Sequence, residues 1–338
     1  NNFEKVIEEY TDDDFKKHLR LNRSTAMILI DRYKNSGSLN RAIRGRCRIF
    51  ADKEIYLFLW YIGTTNTFRE MGNLFGITKS SAWRVIKRVS EWLITIGHEF
   101  VKWPTESETR TNMMHFQKIP GVIGCIDCSH VKIKAPRNNK QDYFNRKHYY
   151  SVHLQAVVNA DKKFIDVFVG EPGSLHDSRV LRRSQLYHRA MANRDALFPE
   201  NSFIIGDSAY SSCDWLISPY RDNGSLTVAQ RQFNKLHSST RIVVENAFGL
   251  LRTRFRRLLH FTEQDHVETV VNLIICGCIL HNLCIVQFDT QPVEIQPEDY
   301  VESAEDDQSA AFTNGDNLCS NRREELLLQL INDNNLVA

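Results

Sequence analysis

The sequence contains none of the short motifs that carry the common nucleotide-binding and acyl-transfer chemistries. A G-x-x-x-x-G-K-[ST] phosphate loop is absent, and no G-x-G-x-x-G follows a strand-like run. There is no G-x-S-x-G elbow, and His176-Asp177-Ser178 is contiguous, whereas a catalytic triad joins residues that are distant in the chain. These absences argue against P-loop ATPases, dinucleotide-dependent dehydrogenases and serine hydrolases.

The chain also lacks an uninterrupted apolar segment of membrane length. Its first ten residues are polar and acidic, without the apolar core of a signal peptide. The longest apolar run, residues 270–286, is interrupted by Asn272, His281 and Asn282. This pattern predicts a core helix in preference to a membrane span, and we expect no membrane partner.

Paired cysteine motifs are scarce. Cys125 and Cys128 form a C-x-x-C, but no second cysteine pair or histidine pair follows at zinc-finger spacing. Reduced thiols are therefore favoured over a structural zinc site. Cys276, Cys278 and Cys284 lie in apolar surroundings and are predicted to be buried.

Charge is unevenly distributed along the 338 residues, although the net charge is only +2. Residues 1–288 carry 41 Lys and Arg against 29 Asp and Glu, whereas residues 289–338 carry 2 against 12. A basic body suits a polyanionic partner such as nucleic acid, because binding releases counterions. The alternative is a basic surface that is simply solvated.

The acidic end is poor in aromatic residues, which predicts disorder over residues 289–321. A short helix is predicted from Arg322 to Ile331, capped by Ser320 or Asn321. We hypothesise that the acidic segment masks the basic surface. Truncation near residue 288 would then tighten DNA binding.

The hydrophobic period changes once along the chain. Helical patterns cover residues 1–100, including 12–19 behind a Thr11 cap, 22–33 and 52–62. From Gly121 the period becomes that of strands. The predicted elements are strands at 122–134, 151–159, 164–169 and 203–205, and helices at 177–191, 241–259 and 266–288. This order is that of a ribonuclease-H-like α/β core. Three regions follow: helical 1–110, core 111–288 and tail 289–338.

Residues 67–89 have the pattern of a helix-turn-helix. Gly76 marks the turn, Thr78 can cap a second helix, and apolar residues recur on one face of that helix. The pattern predicts an outward basic, hydroxyl-bearing face suited to a DNA major groove. Its members are Lys79, Ser80, Arg84, Lys87 and Arg88. The alternative is an ordinary helical hairpin with a solvated charged face.

Two carboxylates interrupt or end apolar strands. Asp127 closes the run GVIGCID, and Asp207 closes FIIGD. An ionised carboxylate in such a strand is costly unless it is paired or binds a metal. Because α/β sheets place ligands at strand ends, the two aspartates predict a site.

Two further acids fall in helical segments near these strands. Glu245 shares a helix face with Arg241, Arg252 and Arg256, which are predicted to hold phosphates. Asp177 begins a helix after a strand. Taken singly, Asp177 has the alternative of a helix N-cap, and Glu245 that of an ion pair with Arg241 or Arg252.

Together the four acids favour a site for Mg²⁺ or Mn²⁺, since hard oxygen ligands leave coordination positions for phosphate and water. Two such ions, about 3.5–4 Å apart, serve in-line phosphoryl displacement.

Several blocks resemble the PIF/Harbinger transposases and the nucleases derived from them. The matching blocks are GVIGCIDCSHVKIKAP (121–136), NRKHYYSVHLQAVVNADKKFIDVFVGEPGSLHDSRVLRRS (145–184), IIGDSAY (204–210), RIVVENAFGLLRTRFRRL (241–258) and GCILHN (277–282). The likeness extends over about residues 10–288, and the combination is more specific than any single block.

The resemblance implies a DDE-type catalytic core, a divalent metal and a nuclear DNA substrate. Asp127, Asp207 and Glu245 match the family's catalytic acids, and Asp177 matches the aspartate of its HD motif. All four would be metal ligands in a nuclease that hydrolyses DNA phosphodiester bonds. The implied partners are double-stranded DNA, a Myb/SANT-like DNA-binding protein and a second copy of the chain, in the nucleus or also the cytoplasm. The alternative function is a DNA-binding regulator or scaffold whose nuclease fold no longer cuts.

Overall fold

Helices occupy the first part of the chain, as the sequence predicts. The protein is described here by a computed structural model, which covers residues 3–38, 49–259, 266–289 and 321–333. The helices before the sheet are α1 (Phe3–Glu9), α2 (Asp12–Leu19), α3 (Arg23–Asn35), α4 (Ala51–Gly63), α5 (Phe68–Leu74), α6 (Lys79–Thr95), α7 (Gly97–Phe100) and α8 (Glu106–His115). Thr11 caps α2 as predicted, because its hydroxyl accepts the amide proton of Asp14 at 3.1 Å.

Helices α5 and α6 form the helix pair predicted over residues 67–89. Thr67 and Glu70 cap α5 reciprocally, and the Thr78 hydroxyl accepts the Ser81 amide proton at the start of α6. Between them Gly76 has φ +63°, a backbone region that favours glycine. The apolar face of α6 packs on α4, on α5 and on a later helix, α13 (Val267–Val286). The helix pair is therefore attached to the rest of the fold through α4 and α13.

A five-stranded mixed sheet follows the helices. Its strands are β1 (Val122–Lys132), β2 (Ser151–Val158), β3 (Phe164–Pro172), β4 (Phe203–Ile205) and β5 (Leu216–Ile217), in the order β3-β2-β1-β4-β5. The pairs β1–β2 and β2–β3 are antiparallel, whereas β1–β4 and β4–β5 are parallel. This topology confirms the predicted ribonuclease-H-like core. The two-residue strand β5 was not predicted, since it is too short to show a period.

Helices cover both faces of the sheet. On one face lie α9 (Asp177–Arg183), α10 (Gln185–Ala192) and α11 (Arg194–Leu197), whose apolar residues form one buried cluster with Ile126 and Val157. On the other face lie α13 and α12 (Val228–Arg254), which share a single buried core with the N-terminal helices. The helical region and the sheet are thus built around a continuous core.

Helix α13 has the length and hydropathy of a membrane span, with a mean hydropathy of 2.1. In the structure 67% of its most apolar window is buried. The helix packs between α6 and β3, where an apolar surface on all sides is required. The prediction of a core helix is consistent with this packing.

Two predicted helices have different bounds in the structure. The helix predicted over 177–191 is divided at Ser184, whose buried hydroxyl bonds to the Leu181 carbonyl and accepts the Tyr187 amide proton. Ser184 therefore caps α10 and ends α9. Helix α12 begins at Val228, well before the predicted Arg241, behind a capping box of Thr227 and Gln230. It ends at Arg254, before the predicted residue 259, so the residues after Arg254 are not part of this helix.

The predicted acidic tail begins with a buried residue. Asp289 is 0% exposed, accepts the Asn22 amide proton at 2.6 Å and pairs with Lys16 at 2.8 Å. Arg254 adds a third contact at 3.6 Å. The prediction of disorder is wrong for Asp289, because two basic residues and a helix N-terminus hold its carboxylate. The prediction is also wrong for Asn321, which begins a helix, and residues 290–320 lie outside the described residues.

The predicted C-terminal helix is present as α14 (Asn321–Asn332). Leu326, Leu327 and Leu330 are buried, and α14 packs on α12. Arg323 lies 4.1 Å from the centre of the Tyr220 ring and donates to the Pro219 carbonyl at 3.2 Å. The C-terminal helix is therefore docked on the body of the protein.

The stability of the fold is expected to depend on the charge of Asp166 in β3. Burial raises the pKa of Asp166 to about 6, although Arg189 acts in the opposite direction. Between the normal aspartate pKa of 3.8 and about 6, the folded chain holds this proton and the unfolded chain does not. The free energy of unfolding therefore falls as pH rises through that window.

Replacing Asp166 removes this dependence. We expect Asp166→Asn to be more stable than wild type above pH 6, by at most about 3 kcal/mol, with the advantage vanishing near pH 4. Urea unfolding at pH 4, 6 and 8 measures the difference, and the exposed Asp214→Asn serves as control. A difference that is independent of pH would contradict the assignment.

Candidate metal centre

Asp127 lies in β1 with its side chain directed toward α12. Its carboxylate is 16% exposed and accepts the Cys128 amide proton at 2.8 Å through Oδ1. Oδ2 accepts a hydrogen bond from Arg241 Nη1 of α12 at 2.9 Å. Asp127 is therefore fixed by its own strand and by one arginine.

The parallel pairing of β1 and β4 brings Asp207 level with Asp127. Ile205 is the register partner of Cys125, and each aspartate follows two residues later in its own strand direction. The Asp207 carboxylate accepts the Ala209 amide proton at 3.1 Å. A side chain at Gly206 would come within 2.9 Å of Ile126 and Tyr210, so glycine is needed for this close approach.

Asp177 reaches the same edge through the loop after β3. The Gly173 amide donates to the Ser151 carbonyl at 2.9 Å, which attaches the loop to β2. His176 is the N-cap of α9, so Asp177 is the first residue of the helix. The alternative of an Asp177 N-cap is wrong, because the His176 ring takes that position. The Asp177 side chain is 22% exposed.

The three aspartates meet at one point of the sheet edge. One carboxylate oxygen from each of Asp127, Asp177 and Asp207 lies within 4.8 Å of the other two. Burial raises the pKa of Asp127 to about 7, Arg241 opposes this shift, and the charges of the other two acids reinforce it. The cluster therefore concentrates negative charge that a cation would stabilise.

Glu245 lies outside this group of three. It is 43% exposed and pairs with Arg241 Nη2 at 2.6 Å, one turn away on α12. Arg241 thus bridges Asp127 and Glu245. The ion pair with Arg241 that the sequence left open is present, and the role of Glu245 as a metal ligand stays a prediction.

The residues of this centre fit a divalent cation of the Mg²⁺ class. Carboxylate oxygens are the ligands such ions prefer, and the exposed sides of the cluster leave room for water and phosphate. The raised pKa of Asp127 fits the same conclusion, because a bound cation would stabilise the ionised carboxylate.

The predicted basic face of α6 is largely exposed. Lys79, Ser80, Arg84 and Lys87 are all exposed, as is Trp83 at 41%. The Lys87 ammonium lies 5.6 Å from the centre of the Trp83 ring. These five residues, the α6 face, present cations and an aromatic ring to solvent.

The outward position predicted for Arg88 is wrong. Its guanidinium pairs with Glu54, which is 1% exposed, and donates to the Tyr33 hydroxyl at 3.3 Å. A carboxylate buried in α4 needs a cation, and Arg88 supplies it. Arg88 therefore stabilises the packing of α3, α4 and α6.

Arg252 faces β1 on the same side of α12 as Arg241, whereas Arg256 lies beyond the end of the helix, which corrects the predicted line of arginines. Arg252 donates to the Ser129 hydroxyl and to the His130 carbonyl in β1, and burial lowers its pKa. Arg256 follows the end of α12 in a short 3₁₀ turn and is half-buried. Arg252 thus bonds to the sheet, and the early end of α12 displaces Arg256.

Comparisons with known proteins connect this centre to a family. A profile described as DDE superfamily endonuclease matches residues 126–282. The chain is 30% identical over 281 residues to "Putative nuclease HARBI1" of Bos taurus, covering 79% of each chain. The chain belongs to the Harbinger-derived DDE family. The human protein of the same name is 30% identical over 280 residues, which cover 79% of this chain and 76% of that protein.

A plant member of the Harbinger-derived family is also similar. "Protein ALP1-like" of Arabidopsis thaliana is 26% identical over 255 residues, which cover 70% of this chain and 61% of that protein. No solved structure matches the chain. The match to the endonuclease profile begins at Ile126 and ends at Asn282, and so includes all four predicted acids.

Two residues of the Harbinger-derived blocks stabilise the fold through hydrogen bonds of their side chains. Asn282, in the GCILHN block, accepts the Phe164 amide proton at 2.9 Å and donates to the Phe164 and Phe100 carbonyls. The His281 ring bonds to the Lys162 carbonyl at 2.9 Å. These two side chains attach α13 to the β2–β3 turn, which explains polar residues in a core helix.

Sequence reasoning missed one residue beside the acids. His153 in β2 is the register partner of His130, and its ring lies against Asp177 and Cys128. The strand pattern alone gives no register between β1 and β2, so no sequence signal indicates this contact.

Proposed function

We propose that the chain is a metal-dependent nuclease that hydrolyses phosphodiester bonds of DNA. The observation that supports it is the meeting of Asp127, Asp177 and Asp207 at one edge of a DDE endonuclease sheet. The names of the animal relatives point to the same activity. Divalent ions bound there would activate water and stabilise the leaving oxygen.

Each residue of the centre has a role in this proposal. Asp127 and Asp207 are the principal Mg²⁺ or Mn²⁺ ligands, and Asp177 is an auxiliary one. Glu245 completes the ligand set when Arg241 releases it. Arg241 already bonds both Asp127 and Glu245, so its guanidinium is positioned to transfer to a phosphate when a cation takes over those carboxylates.

Plasmid nicking tests the proposal. We expect wild type to nick supercoiled DNA with Mg²⁺ or Mn²⁺ and to stop when EDTA removes the metal. Asp207→Asn is expected to be inactive, whereas Asp195→Asn, an exposed aspartate of α11, retains activity. Equal cutting by wild type and Asp207→Asn would remove the catalytic assignment.

The alternative is a DNA-binding regulator that does not cut. The Arg241 bridge favours it, since a guanidinium already neutralises part of the charge that a metal would meet. A wild-type protein that binds duplex DNA but nicks it with neither metal would support this alternative.

The α6 face is proposed to hold the DNA backbone. We expect Arg84→Ala to weaken binding of every duplex to a similar extent, because one phosphate contact is lost. The slope of the logarithm of the binding constant against the logarithm of the salt concentration should become shallower by about one. Fluorescence anisotropy at several salt concentrations measures both quantities. Lys34→Ala, an exposed lysine of α3, is the control. An unchanged slope would place the DNA elsewhere.

Nuclear localisation, a Myb/SANT-like DNA-binding partner and homo-oligomer formation stay predictions. The basic body and the family support them. Co-purification of the full chain and its mass in solution would test the last two.

A further inference from the structure

A second group of metal-ligating side chains adjoins the three aspartates. Cys128 Sγ, a ring nitrogen of His153 and a carboxylate oxygen of Asp177 lie within 4.8 Å of one another. Asp177 belongs to both groups. The second group therefore combines sulfur, nitrogen and oxygen donors, whereas the first has oxygen alone.

The His153 ring is oriented with a lone pair toward this group. The residue is 0% exposed, and its Nε2 lies 3.0 Å from the Leu175 carbonyl. Because a carbonyl only accepts hydrogen bonds, Nε2 carries the proton and Nδ1 has the free lone pair. Nδ1 makes no hydrogen bond with any described residue and lies 3.9 Å from an Asp177 carboxylate oxygen.

A neutral ring is the form that binds metals. The His153 ring is fully buried, and burial disfavours its charged form. A histidine ligand commonly donates its other N–H to a backbone carbonyl, which fixes the ring. The Leu175 contact already supplies that arrangement.

The Cys128 thiol lies on the same face of the sheet as His153. Its partner in the C-x-x-C pattern, Cys125, faces α12 and bonds to the Thr240 carbonyl at 3.6 Å. Residues three apart in a strand point to opposite faces, so these two cysteines do not chelate one ion. Burial raises the pKa of the Cys128 thiol, and the Tyr210 hydroxyl, which donates to Cys128 Sγ at 3.4 Å, opposes this only in part, so Cys128 carries its proton until a metal binds.

We propose that Cys128, His153 and Asp177 form a Zn²⁺ site. Thiolate, imidazole and carboxylate are the ligands of Zn²⁺ in proteins, and three of them leave a fourth position for water. Mg²⁺ is a poor occupant, because it prefers oxygen ligands. On binding, the S–H bond of Cys128 breaks, a Zn–S bond forms and one proton passes to solvent.

The shared carboxylate couples the two groups. A Zn²⁺ ion bound to Asp177 withdraws that carboxylate from Asp127 and Asp207, so Zn²⁺ is an inhibitor of the Mg²⁺-dependent reaction. This consequence rests on the proposed function. The Zn²⁺ site itself does not, and direct binding tests it separately.

Cobalt titration of the reduced, full-length chain tests the site. Co²⁺ is expected to give the near-ultraviolet charge-transfer absorption of a thiolate ligand, which one equivalent of Zn²⁺ removes. Calorimetry in buffers of different ionisation enthalpy is expected to show about one proton released per Zn²⁺. An absent band, or no proton release, would overturn the site.

Two variants and one control identify the ligands. Cys128→Ser is expected to lose the band, and His153→Gln to weaken Zn²⁺ binding by at least about tenfold. Cys213→Ser, another half-buried cysteine, should match wild type. Circular dichroism verifies the fold of each variant. A band that survives in folded Cys128→Ser overturns the assignment, and so does unchanged affinity in His153→Gln.

Nicking assays examine the coupling. One equivalent of Zn²⁺ is expected to suppress Mg²⁺-dependent nicking by wild type, and Cys128→Ser to require at least about tenfold more Zn²⁺ for the same suppression. Equal sensitivity would overturn the coupling. If no variant nicks DNA, the nuclease proposal fails, while the cobalt and proton measurements still decide the Zn²⁺ site.

Discussion

Replacing Asp127 by asparagine is expected to lower plasmid nicking by about 10³-fold, the effect of losing several kcal/mol of transition-state stabilisation at a metal centre. The Asp127 carboxylate is 16% exposed and accepts hydrogen bonds from its own strand and from Arg241. Asparagine keeps the shape of the side chain and loses the charge that a divalent cation needs.

The same substitution is expected to act in the opposite direction on stability when metal is removed. Burial raises the pKa of Asp127 to about 7, so the folded chain holds a proton from pH 4 to 7 that the unfolded chain has lost. The free energy of unfolding of wild type therefore falls as pH rises through this window. The unfolding free energy of Asp127→Asn does not show this decrease, because asparagine does not titrate.

Unfolding measurements with EDTA and with Mg²⁺ separate the two effects. With EDTA at pH 8, Asp127→Asn should be at least as stable as wild type. With Mg²⁺, wild type should gain stability and the variant should not, because only wild type binds the cation tightly. A wild-type protein that Mg²⁺ does not stabilise would contradict the metal centre.

Replacing Asp289 by alanine is expected to cost about 3–5 kcal/mol of unfolding free energy, the largest loss of stability that we predict. The substitution leaves Lys16 and Arg254, which are 14% and 10% exposed, without their shared carboxylate. It also removes the acceptor for the Asn22 amide at the start of α3.

Equilibrium urea unfolding measures this loss. Asp31→Ala, an exposed aspartate of α3, is the matched control and should change the unfolding free energy by less than about 0.5 kcal/mol. Asp289→Asn should lie between alanine and wild type, since the amide keeps an oxygen for Asn22 but has no charge. A loss below about 1 kcal/mol would contradict the buried pair.

Most of the sheet was predictable because burial imposes a strict period on strands. Strand β4 has the predicted bounds, and β1 and β2 start at the predicted residues. The helix boundaries that failed depended on single polar side chains. Ser184 interrupts one helix through its own hydroxyl bonds, and the polar first half of α12 hides a helix that Thr227 and Gln230 initiate.

The candidate site was predictable only as far as strand ends determine it. Sequence patterns indicate that Asp127 and Asp207 each end an apolar strand. The parallel register of the two strands, which brings the aspartates level, comes from the structure. Helical spacing left the ion pair of Arg241 with Glu245 open, whereas no pattern indicates the bond from Arg241 to Asp127 in another element. The same holds for His153, which reaches Asp177 only through the pairing of two antiparallel strands.

Both ends of the acidic segment are attached to the protein body, at Asp289 and at α14. Residues 290–320, with eight carboxylates and no lysine or arginine, therefore connect two fixed points as a tether. Their charge stays at a high effective concentration near the basic body, however dilute the protein is. Truncation at residue 288 would remove both attachments as well as the charge. A protease site placed inside the tether would open it and leave each attachment in place.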